Sequence, residues 1–212
     1  MRPLADILAR AISIMLYPLF IPTYGVALFC YVFSVYLRFV SLGWSLVAVI
    51  GTLVLTCVLP ITAIGIMIRS GKVSDLEITD STQRTMPYIY TIFGFSCWSY
   101  LMITILHAPR FMGWVAVGAT VALGLVALIN RWWKISAHLT GMGGLFGGLM
   151  SFYLGIGMMP SWGMPGLLLT LSLLLMYARV RVKAHTPAQV CVGWLLGITC
   201  TFIPYCIYQY VV

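Results

Sequence analysis

The chemistry open to this sequence centres on two histidines, His138 and His185. Each stands where an apolar run begins, and each has cations beside it. Lys134 precedes the first; Arg179, Arg181 and Lys183 precede the second. That setting disfavours a protonated imidazole, so a histidine placed there needs a reason. In ARVRVKAHTPAQ (178–189), Thr186 followed by Pro187 reads as an N-cap and a first helical residue. Gln189 falls at the third helical position and completes a capping box. His185 therefore sits just before a helix N-terminus, where backbone amides and the helix dipole favour an anion. In KISAHLTG (134–141), Lys134, Ser136 and His138 again stand where a helix begins. This arrangement suits a phosphate with a histidine beside it. The third histidine, His107, lies beside Pro109 and reads as an ordinary interfacial residue.

The elements that must hold these residues follow from composition. Of 212 residues, 62% are apolar and 8% are charged, and mean hydropathy is +1.04. Soluble domains run about 45–50% apolar and about 25% charged. A soluble enzyme, a disordered tail and a disulfide scaffold are thereby excluded. Counting between charges gives uncharged runs long enough to span a bilayer, which needs about 20 residues. The longest, Lys134 to Arg179, encloses 44 residues and is broken by GMMPSWGMPG (157–166). Seven candidate spans result, at about 15–37, 41–68, 86–107, 111–130, 139–158, 163–178 and 187–210. Pro18 and Pro22 could divide the first into an interfacial helix and a short span. The expected fold is an all-α membrane bundle of six or seven helices. It forms one domain over 1–212, with 1–37 as a peripheral first helix or span and 41–212 as the core.

Span parity groups the polar connections. The segments 69–85, 131–138 and 178–187 follow spans two, four and six, so they share one face. That face carries ten cations, against Arg38 and Arg110 on the other. The net charge of +8 is thus explained by topology and anionic headgroups, and no nucleic-acid partner is expected. Asp75, Glu77 and Asp80 lie in the polar segment 69–85, which reads as a solvated loop ahead of a divalent-cation site. The six cysteines read as small buried hydrophobes. Trp98, Trp132, Trp133 and Trp162 read as interfacial-belt residues, and Arg181 and Lys183 as interfacial anchors. Gly143 with Gly147, and Gly144 with Gly148, have small-xxx-small spacing that packs helices within the chain or between copies of it.

Taken in order, these residues resemble the type 2 phosphatidic acid phosphatase superfamily, which also contains the vanadium haloperoxidases. Arg84, with Pro87 nearby, is similar to its first motif. Ser136-Ala137-His138 resembles the second. Arg179, five residues, His185, three residues and Gln189 resemble the third. The likeness covers roughly residues 50–212. Glu77 stands where the family has Lys, and Gln189 where it has Asp.

What the resemblance implies is hydrolysis of a lipid phosphate monoester or diphosphate without a metal or cofactor. His185 would be the nucleophile, forming a phosphohistidine, and His138 the general acid/base. Arg84 and Arg179, with Lys134, Ser136 and Lys72, would hold the phosphate. The Gln189 carbonyl would accept the Nδ1 proton of His185. A multi-pass protein of a bacterial inner membrane follows, with lipids and an optional second copy of the chain as partners. A phosphotransferase of the same fold and a non-catalytic lipid-phosphate binding or transport protein are the alternatives. Charge counting puts the site in the cytoplasm, whereas the resemblance puts it on the outer face, so sidedness stays open.

Overall fold

In a computed structural model most of the long uncharged runs are helical, and described charged segments such as 131–134 connect them. The structure describes residues 4–32, 40–74, 81–157 and 162–211. Within them lie α1 (Leu4–Met15), α2 (Ile21–Val32), α3 (Leu42–Arg69), α4 (Thr85–Ile105), α5 (Arg110–Ile129), α6 (Ala137–Ile156), α7 (Gly163–Arg181) and α8 (Pro187–Val211). No strand occurs among the described residues. The architecture is an all-α bundle. Five of its helices, α3, α4, α5, α7 and the Pro187–Gln209 stretch of α8, are long and apolar enough to cross a membrane. The expected first span, 15–37, is not one helix. The chain leaves α1 at Met15, turns past Pro18, and re-enters helix at Ile21.

The faces of α3 invert the soluble pattern. Leu42, Leu46, Ile50, Val54 and Val58 point outward, while Ser45, Ala48, Thr52 and Thr56 are buried. Bilayer lipid accepts the large apolar groups, and small residues let helices approach. The two inward threonine hydroxyls are satisfied locally. Thr52 donates to the Ala48 carbonyl and Thr56 to the Thr52 carbonyl, so neither is stranded in an apolar medium. Two π-helical turns interrupt the rods, at Val54–Val58 in α3 and Leu101–Ile105 in α4. The first precedes Pro60, which cannot donate and whose ring crowds the carbonyl four residues back. Widening the turn leaves that carbonyl room.

The bundle is tightest between α6 and α8. A Cβ on Gly143 would collide with the Trp194 carbonyl, one on Gly147 with the Thr201 hydroxyl, and one on Gly197 with the Thr140 carbonyl. The glycine stripe therefore packs helices within the chain. Gly197→Ala is expected to cost about 1–3 kcal/mol through overpacking. A thermal midpoint in nanodiscs equal to that of the parent protein would show that the helices do not meet this closely.

Trp98 departs from the sequence reading. It is a core residue, 3% exposed, and its Nε1 donates to Thr52 Oγ1 at 2.9 Å. Residue type alone placed it in the interfacial belt, but its position in mid-α4 puts it deep. Trp132 and Trp162 are largely exposed, as belt residues are. The six cysteines are all free.

Candidate phosphate site

The starts of α6 and α8 are tied together by a backbone bond. The Ser136 amide donates to the Gln189 carbonyl at 3.3 Å. Each helix is capped by its own sequence. Ser136 Oγ accepts from the Leu139 amide. Thr186 and Gln189 form the expected box, since Gln189 Oε1 accepts from the Thr186 amide at 3.1 Å and Thr186 Oγ1 accepts from the Gln189 amide at 3.4 Å. Two positive helix ends thus lie side by side, and each has a histidine at its edge.

A cavity of about 510 Å³ opens here, within the usual range for small-molecule sites. His138 and His185 both line it, and so do the cations Arg10, Arg84, Lys134, Arg179 and Lys183. No carboxylate lines it among the described residues. The three polar connections grouped by parity therefore do meet. Arg84 comes from the first, Lys134 from the second, and Arg179, Lys183 and His185 from the third.

The hydrogen bonds fix the histidine tautomers. His185 Nδ1 lies 3.1 Å from the Lys134 carbonyl and 3.3 Å from Gln189 Oε1. Both are acceptors, so Nδ1 carries the proton and Nε2 keeps its lone pair. Burial, and then the nearby Arg179 charge, push the His185 imidazolium down to about 4. The ring is therefore neutral at physiological pH, as a nitrogen nucleophile must be. His138 Nε2 lies 3.2 Å from the Ser13 carbonyl of α1. That nitrogen donates, which leaves Nδ1 as the basic position of His138. Tyr17 packs edge-on against the same ring at 5.5 Å.

The other expected site residues divide. Arg179 is buried near the end of α7 and lines the cavity, as do Arg84, its neighbour Pro87, and Lys134. Ser136 and Gln189 do not line it. Ser136 is fully buried as the α6 cap, and Gln189 reaches the site only through His185. Both position other groups. Lys72 is exposed beyond α3 and is not at the cavity. Asp75, Glu77 and Asp80 lie outside the described residues.

Some participants escaped the sequence reading. Arg84 Nη1 donates to Asn130 Oδ1 at 3.2 Å, and Asn130 Nδ2 donates to the Tyr88 hydroxyl at 3.1 Å. Tyr88 is one turn after Arg84 on the same helix face, a signal the spacing did offer. Arg10 is the one cation of α1 and offered none. Lys183 was read as an anchor but lines the cavity, whereas Arg181 is exposed and pairs with Asp6 at 2.9 Å. Lys183 adopts φ +56°, the left-handed position that closes α7. The amides of Lys183 and Ala184 return to the Val180 and Arg179 carbonyls, a Schellman ending in which glycine is usual.

The chain matches no family model, no curated protein and no solved structure.

Proposed function

We propose that the protein is an integral membrane lipid phosphatase that works through a phosphohistidine on His185, as its resemblance to the type 2 phosphatidic acid phosphatases implies. One observation carries the reading. A neutral histidine with its Nε2 lone pair available shares a cavity with five cations and a second histidine. Arg84, Arg179 and Lys134 hold the phosphate oxygens and stabilise their charge as the bond to phosphorus changes partner. Nε2 of His185 forms the P–N bond while the P–O bond to the leaving group breaks. A monoanionic phosphate brings a proton that His138 takes at Nδ1 and passes to the leaving oxygen. Water then donates a proton to His138, attacks phosphorus, and frees His185 with inorganic phosphate. The setting is a bacterial inner membrane.

The test is phosphate release from phosphatidate, phosphatidylglycerophosphate, a polyprenyl diphosphate and a sphingoid phosphate, with EDTA present. Metal-independent release by the parent protein, and none by His185→Ala, is the expected result. No release from any of them by folded protein would leave a lipid-phosphate binding protein. Gln189 favours that second reading, because its neutral carbonyl stabilises an imidazolium less well than a carboxylate would.

The same contrast yields a pH prediction. His185 works as the neutral base, so activity should persist down to an acid limb near pH 4. Gln189→Glu places a carboxylate on the Nδ1 proton. It favours the cation, raises the His185 pKa, and moves the limb upward toward the ordinary value of about 6.5. It should also raise kcat about tenfold at neutral pH, a part of the roughly 10⁴-fold that a triad carboxylate gives serine proteases. A limb that stays put would separate Gln189 from the histidine's chemistry.

A further inference from the structure

We propose, resting on the lipid-phosphate reading, that the substrate's hydrocarbon chain is housed inside the bundle and that Trp98 and Met102 set the length it accommodates. The cavity that holds the cations does not end at them. It continues from Arg84, just before α4, along that helix, where Tyr88, Thr91, Phe95, Trp98 and Met102 also line it. Their intervals of three and four residues form one helical stripe. Met102 is eighteen steps along the chain from Arg84, which at a ~1.5 Å rise is roughly 27 Å along the helix. That nearly matches the ~30 Å hydrocarbon core of a bilayer. The lining changes chemistry along the way. Arginine, tyrosine and threonine give way to Phe95, Trp98 and Met102, faced by Phe29, Met112 and Val115 from α2 and α5.

A cationic mouth on an apolar shaft is complementary to one kind of molecule, an anion with a hydrocarbon chain. Inorganic phosphate or a sugar phosphate would leave the shaft empty. The volume of about 510 Å³ leaves room for one chain and not two. A second chain of a diacyl lipid stays in the bilayer.

The inner end is built to be stiff. Trp98 is pinned through Nε1 to Thr52 and packs edge-on against Phe95 at 5.8 Å. Met102 has no exposed surface and belongs to the π-helical turn of α4. π-turns frequently mark functional positions, and this one contains Met102, which lines the cavity.

The experiment measures binding of octyl, dodecyl and octadecyl phosphate to His185→Ala protein in nanodiscs, with inorganic phosphate as competitor. Without the nucleophile no turnover intervenes, so the test stands apart from catalysis. Affinity should rise with chain length while the chain lies in the shaft. Met102→Trp should then shift preference toward short chains. The octadecyl-to-octyl affinity ratio should fall about tenfold for every two methylenes displaced. Met102→Ala should raise that ratio. Ratios equal in the parent, Met102→Trp and Met102→Ala proteins would overturn the proposal and put the chain in the bilayer. If chain dependence holds while no lipid phosphate is hydrolysed by the parent protein, the shaft stands and the phosphatase reading falls. If inorganic phosphate fails to displace octyl phosphate, the cationic mouth does not bind the head and both fall.

Discussion

His185→Ala is expected to lower kcat/KM for a lipid phosphate by about 10⁴-fold or more, the scale on which removing a covalent nucleophile acts. The protein itself should survive the change. His185 lies in the short connection between α7 and α8, and the bonds that close that turn are backbone bonds from Lys183, Ala184 and His185 itself. Phosphate transferred from labelled substrate should be trapped on the parent protein as an acid-labile, alkali-stable adduct, which is absent from the variant. His138→Ala should behave differently. With an aryl phosphate whose leaving group needs no proton, its first turnover should proceed and its second should stall, so the adduct accumulates. An adduct that persists in His185→Ala would move the nucleophile elsewhere. Loss of the adduct in both variants would assign His138 to phosphate binding.

The second large effect falls on Arg179. It is buried, lines the cavity, and its charge is one cause of the low His185 pKa. Arg179→Gln should reduce kcat/KM by about 10²–10³-fold, the range found when one oxyanion donor is removed. Arg179→Lys should recover little, because a point charge does not reproduce a fork of donors against a phosphate. The glutamine variant should also lift the acid limb above the parent's, since the charge that disfavoured imidazolium is gone. Partial misfolding lowers amplitude at every pH and leaves the limb alone, so the profile separates the two causes. A rate within a few-fold of the parent would remove Arg179 from the phosphate site.

Charge spacing made most of the bundle legible. The expected spans 41–68, 86–107, 111–130 and 187–210 lie within two residues of helices at Leu42–Arg69, Thr85–Ile105, Arg110–Ile129 and Pro187–Val211. Helix ends in a membrane fall where charge or a cap can meet water, and both are visible in sequence. The capping box at Thr186 was legible for the same reason, since it is local. Depth was not legible. Trp98 and Trp132 are the same residue type, Trp98 in an apolar run and Trp132 between Arg131 and Lys134. One lies inside the bundle and the other at the surface; the charges beside Trp132 mark it as interfacial, but whether Trp98 faces lipid or the bundle interior is decided by tertiary packing. Position across the bundle was also hidden. Arg10 and Asn130 reach the cavity through helix–helix packing, Asn130 meeting Arg84 across 46 residues of chain. Lys183 read as a topological charge because its left-handed backbone, which turns it toward the cavity, leaves no trace in residue type.

The glycine seam between α6 and α8 bears on how the site behaves in a living membrane. Backbone rests on backbone there, and the Ser136–Gln189 bond ties the two ends that carry His138 and His185. Those two helices can shift only as a single block. Bilayers vary in thickness with lipid composition and temperature, and spanning helices answer by tilting. In this bundle the tilt falls to the outer helices, while the separation of the two histidines is set by a joint without slack. The geometry between the two histidines is thereby insulated from the changing thickness of the membrane around it.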